Sequence, residues 1–64
     1  MSSEVVARAV RTFLKLDTVG RLIIARELGL QSPVTEGNVR AKFESIQARG
    51  VCVESIIRDM EDEL

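Results

Sequence analysis

Sixty-four residues, with nine Lys and Arg against ten Asp and Glu and a net charge of −1, set a single domain near the lower size limit for folding without a metal or disulfide. One cysteine and no histidine leave no intrachain disulfide and no ordinary zinc site, so a small apolar core must hold the chain together. Tryptophan and tyrosine are absent and the two aromatics are phenylalanines, which leaves acid–base chemistry near neutral pH to carboxylates and lysines.

Met1-Ser2-Ser3-Glu4 places no basic region ahead of a continuous apolar stretch, so no signal peptide is expected. No apolar run approaches a membrane span. A soluble, cytoplasmic protein without a membrane partner is the expectation, and a single free cysteine fits a reducing compartment. Val6, Ala9, Val10, Phe13 and Leu14 recur at three- and four-residue steps, predicting an amphipathic helix from about Ser3 to Leu16. Ser2 or Ser3 is placed to cap it, and Glu4 suits its positive end. Asp17 or Thr18 then breaks the run and caps a second helix from about Val19 to Leu28. Its apolar run Leu22-Ile23-Ile24-Ala25 is wider than one face needs, and reads as the buried centre of the domain. β-Branching alone would allow a strand there. The preceding period and the following Leu28-Gly29-Leu30 favour a helix that ends on a left-handed glycine, with Leu30 folded back onto Ala25 and Ile24.

Gln31 to Asn38 is the one real linker and holds the sole proline, Pro33. Ser32 or Thr35 is placed to cap the third helix, whose stripe of Val39, Phe43 and Ile46 runs to Gly50. Arg49-Gly50-Val51 repeats the glycine clasp, and the match is the better of the two because Val51 would fall on Ile46, a core position. The last helix runs from about Val53 to Glu63, with Val53, Ile56, Ile57 and Met60 on one face and Leu64 continuing it. Neither an internal repeat nor a low-complexity segment is present. The expected architecture is all-α: one domain over residues 1–64, four helices in two hairpins with antiparallel neighbours.

No acidic residue has a companion nucleophile, and four scattered glycines form no phosphate loop. Cys52 sits beside a predicted helix N-terminus, which favours a thiolate, but it reads first as a small half-buried residue in the Gly50–Val53 turn. Asp59, Glu61, Asp62 and Glu63 lack calcium-loop spacing and read as a solvated helix end. No enzymatic activity, cofactor or metal is expected. Charge is divided along the chain instead. Up to Arg26, the cations Arg8, Arg11, Lys15, Arg21 and Arg26 outweigh Glu4 and Asp17 by +3; from Glu27 onward eight acids outweigh Arg40, Lys42, Arg49 and Arg58 by −4. The split reads either as ordinary surface charge, divided by chance in so short a chain, or as two opposed faces, which would steer one copy onto another, or onto a related domain, head to tail. Such a contact propagates into rings or filaments. The candidate surfaces are Arg8, Arg11, Arg21 and Arg26 on one side and Glu54, Asp59, Glu61 and Asp62 on the other.

Phe13-Leu14-x-Leu16, Arg21-x-x-Ile24-Ala25-x-x-Leu28-Gly29-Leu30, and Phe43 with Gly50 ahead of an apolar–acidic final helix together resemble small prokaryotic effector-associated or death-like adaptor domains. The resemblance spans about Phe13 to Glu63 and rests on apolar and glycine positions. It implies a module that recruits NTPases, proteases or other effectors of defence and signalling systems by homotypic contact. Full death-fold domains usually have six helices, so this would be a reduced version, and Ile56 and Ile57 stand where a larger aromatic anchor would be expected. No interface residue carries over from it. A second resemblance, to a helix-turn-helix regulator of transcription, lies in Ile24-Ala25-x-x-Leu28-Gly29-Leu30 followed by Thr35-x-x-Asn38-Val39-Arg40-x-x-Phe43-x-x-Ile46-x-x-x-Gly50. It implies Asn38, Arg40 and Lys42 near bases and phosphates. The acidic balance, the long linker, and Glu36 and Glu44 on the would-be recognition helix weigh against nucleic acid as the partner. A small acidic inhibitor of such a regulator is a third reading.

Overall fold

Four α-helices follow one another in the computed structural model: α1 (Ser3–Lys15), α2 (Thr18–Leu28), α3 (Glu36–Ala48) and α4 (Val53–Asp62). It describes residues 3–31 and 34–64; Ser2 and Ser32, two of the expected caps, and Pro33 lie outside the described residues. The all-α, four-helix expectation holds, and the helix bounds fall close to those the apolar period predicts.

Local chemistry explains where α2 and α3 begin. Asp17 is extended (φ −75°, ψ −179°) and its Oδ1 accepts from the Gly20 N–H at 2.7 Å, so Asp17 is the cap of α2 and Thr18 the first helical residue. Thr35 does the same for α3, its Oγ1 accepting from the Asn38 N–H at 3.2 Å. Each satisfies one of the amides that a helix start leaves without a partner. Cys52 precedes α4 with no side-chain capping bond, and it is exposed, not half-buried.

Both glycine clasps form. Gly29 has φ 74° and Gly50 has φ 88°. At the first, the Leu30 N–H donates to the Ala25 carbonyl at 2.8 Å and Gly29 N–H to Arg26 at 3.2 Å; at the second, Val51 N–H reaches Ile46 at 3.1 Å and Gly50 N–H reaches Gln47 at 3.0 Å. This paired pattern closes the last carbonyls of a helix on a left-handed residue. The apolar partners differ from expectation. Leu30 is the half-buried one, packed against the core, whereas Val51 stays 46% exposed. Hydrogen bonding alone therefore closes α3, while a hydrophobic contact joins it at α2.

Val6, Ala9, Val10 and Phe13 of α1 meet Val39, Phe43 and Ile46 of α3 and Val53, Ile57 and Met60 of α4 in one apolar cluster, to which α2 contributes Ile24. Phe13, Phe43, Ile57 and Met60 are each at most 2% exposed, and burial of side chains this large stabilises by roughly 1.5–3 kcal/mol apiece. Among the described residues Thr12 is the one buried polar side chain; its hydroxyl donates to the Arg8 carbonyl at 2.8 Å, so it is not left unsatisfied. The radius of gyration, 10.5 Å, matches the value of about 10.7 Å for a collapsed chain of this length.

Helix α2 is not the buried centre that its apolar run predicts. The centre of the domain is α1, which packs against both α3 and α4, while α2 rests only lightly on each of the other three. Gly20, Ile24 and Ala25 face inward, but Val19 is 64% exposed, Leu22 59% and Ile23 39%. An apolar run with no polar side contains no information about which face turns inward; here one side of α2 covers the core and the other is left to the surface.

Candidate interaction surfaces

Helical periodicity gathers the charges into clefts. Arg8, Arg11 and Lys15 stand at i, i+3 and i+7 on α1, a spacing that returns to the same side of a helix. With Thr12 and with Glu61 of α4 they line a shallow cleft of about 170 Å³. On α4, Asp59, Asp62 and Glu63 are spaced i, i+3 and i+4 and share a face; Glu63 keeps helical geometry as the cap (φ −86°). These three join Glu27, Ile23 and Ile24 of α2 around a second cleft, of about 240 Å³. Glu61 lies 200° around the helix from Asp59, which is why it faces α1 and its neighbours do not. The two clefts thus lie on different flanks of the α4 C-terminal end. One carries three cations against a single carboxylate, and the other carries four carboxylates.

A third cleft, of about 230 Å³, is lined by Thr18, Arg21, Leu22 and Ala25 of α2 and by Val34 of the linker. Arg21 is held there: its guanidinium Nη2 donates to the Leu14 carbonyl at 2.6 Å. A cation on one of the last carbonyls of α1 satisfies an acceptor the helix cannot pair internally.

Of the eight residues the sequence singles out, Arg8 and Arg11 lie in the basic cleft and Asp59 and Asp62 in the acidic one. Glu61 belongs with the arginines instead of with the other acids, and Arg21 lines the apolar cleft. Arg26 and Glu54 are exposed and line none of the three. Lys15, Glu27 and Glu63 complete the clefts. The i+7 and i+4 spacings of Lys15 and Glu63 are readable in the sequence; Glu27 depends on α2 packing beside α4 and has no such signal.

No family model, no curated protein and no solved structure matches this chain. The surfaces therefore carry the functional argument. Among the described residues no group of three or more His, Cys, Asp or Glu is placed to hold a metal ion, so the four carboxylates line a cleft without converging on one point. No helix among the described residues is long and apolar enough to cross a membrane. On α3, Glu36, Arg40 and Glu44 are exposed at successive one-turn steps, so this outer face offers a nucleic-acid backbone one cation between two acids. Packing between α2 and α3 is also slight, unlike the mutually packed pair of a helix-turn-helix.

Proposed function

We propose that this chain is a small, non-enzymatic protein–protein interaction module of the cytoplasm that acts by homotypic association: the basic cleft of one copy receives the acidic cleft of the next. The resemblance to prokaryotic effector-associated domains implies the same kind of contact with a related helical domain of a larger effector. The observation that carries the reading is the separation of charge by α4. Arg8, Arg11 and Lys15 share their cleft with Glu61, while Glu27, Asp59, Asp62 and Glu63 lie on the opposite flank. Complementary patches on different sides of one molecule favour a directed encounter between molecules. Because the two patches are unlike, each contact leaves one free at either end, and association continues beyond a dimer.

Charge reversal tests this. Arg8→Glu and Asp59→Lys are each expected to lower the mass reached at a given concentration, and the double variant, which restores one opposite-charge pair in exchanged order, is expected to recover part of it. Unchanged mass in both single variants would contradict the proposal. Both residues are exposed, so reversal there leaves the apolar core in place.

A further inference from the structure

We infer that the outward face of α2 is a docking seam for a basic amphipathic helix of a partner protein. Val19, Leu22 and Ile23 stand at i, i+3 and i+4, all exposed, at 64, 59 and 39%. Three exposed aliphatic side chains on one helix face beside a cleft lined partly by apolar groups form a patch of the kind that serves as a contact site. Its two flanks differ. On one, Leu22 opens into the cleft with Thr18, Arg21, Ala25 and Val34, where the Arg21 guanidinium is taken up by the Leu14 carbonyl; on the other, Ile23 leads directly into the carboxylates of Glu27, Asp59, Asp62 and Glu63. The occupant must therefore present aliphatic side chains to the ridge, cations to the acidic flank, and a polar or acidic position where exposed Arg26 ends the ridge.

A helix meets that demand. It satisfies its own backbone, whereas an extended peptide needs a sheet edge to pair with, and among the described residues all regular structure is helical. Side chains at i, i+3 and i+4 of the partner would straddle Leu22 and enter the Ala25–Val34 cleft, with Lys or Arg one flank over. The chain's own helices fit less well. The cationic cleft of α1 has no aliphatic lining residue, and α2 offers another copy only Arg21, already held by the Leu14 carbonyl, and Arg26 against four carboxylates. An anionic lipid surface would be repelled by the same four groups. The inference does not rest on homotypic association, but both use the carboxylates of Glu27, Asp59, Asp62 and Glu63, so a partner helix and a second copy would compete for that flank.

The test is an NMR titration of the full chain carrying Arg8→Glu, the variant expected to lose self-association, so that failure of either idea shows separately. The probe is a synthetic Leu/Lys helical peptide with leucines at i, i+3, i+4 and i+7; a Leu/Glu peptide with the same leucines is the control. Expected are amide shifts confined to α2, Val34 and Asp59–Glu63 and no binding of the control. Leu22→Ser and Asp62→Lys should each weaken affinity roughly tenfold or more, the loss from Asp62→Lys shrinking at high salt. Shifts centred on α1 or α3, equal binding of the two peptides, or indifference to Leu22→Ser would overturn the inference. So would α2 shifts that grow with protein concentration alone, which would assign the face to another copy, or preferential binding to phosphatidylserine-containing vesicles.

Discussion

Alanine at Gly50 is expected to destabilise the domain, while alanine at Gly37 is expected to stabilise it, although a Cβ at either position would meet nothing within 4 Å. With no steric contact at either site, only the backbone distinguishes them. Gly50 has φ 88°, where an L-residue pays roughly 1–2 kcal/mol, partly offset by about 0.4–1 kcal/mol because alanine restricts the unfolded chain. The net loss is about 1 kcal/mol. Gly37 lies in the first turn of α3 without a positive φ, where alanine regains up to about 1 kcal/mol of helix propensity. In a domain this small, 1 kcal/mol moves Tm by about 4–8 °C, so the two variants should separate in opposite directions from the parent chain. A chain of 64 residues is within reach of chemical synthesis, which adds a third arm. D-Alanine at Gly50 keeps the left-handed conformation and should stabilise, reversing the sign of the L-alanine change. Urea and thermal unfolding followed by far-UV circular dichroism read all three. Shifts of Gly50→Ala and Gly37→Ala in the same direction, or equal effects of D- and L-alanine, would refute the clasp as the end of α3.

Three further outcomes follow from the packing. Ile24→Ala should lower stability by about 2 kcal/mol, at the mild end for a buried isoleucine because lightly packed α2 can settle into the space, while Leu22→Ala should stay within about 0.5 kcal/mol; equal urea midpoints would mean that α2 is turned differently. Met60→Ala, at a site with no exposure where α4 joins the core, should remove about 2–5 kcal/mol. That is comparable to the whole stability of so small a domain, so its far-UV signal should be largely that of an unfolded chain, and a cooperative transition near the parent midpoint would count against this core. Asp17→Ala should cost about 1 kcal/mol through loss of the α2 cap and speed hydrogen exchange at the Gly20 amide, the donor to Asp17; unaltered exchange there would remove the cap from the account.

The helix ends are the most legible part of this sequence, because single residues decide them. Asp17 and Thr35 have side chains that can take a free amide, and Gly29 and Gly50 adopt a conformation other residues avoid. The faces of α1 and α4 are legible for a similar reason, since polar residues alternate with apolar ones at the helical period. Helix α2 is not. Leu22-Ile23-Ile24-Ala25 offers two apolar sides, and only packing against the other helices selects Ile24 and Ala25 for the interior. Leu30 and Val51 teach the same lesson at smaller scale, since identical hydrogen bonding leaves one half-buried and the other exposed. The charge split along the chain anticipates that opposite charges segregate, but a division by halves places Glu61 with the acids, whereas its angle around α4 turns it toward Arg8 and Arg11. Glu27 joins Asp59 and Asp62 only through the tertiary placement of α2 beside α4.

In the proposed assembly, copies of this chain meet through unlike charged clefts. Molar mass by light scattering, taken across a concentration series at low and high salt, addresses it most directly. Mass that climbs past the dimer with concentration and falls as salt shortens the range of the charges is the predicted result. A strict monomer at every concentration, or a dimer indifferent to salt, would contradict it.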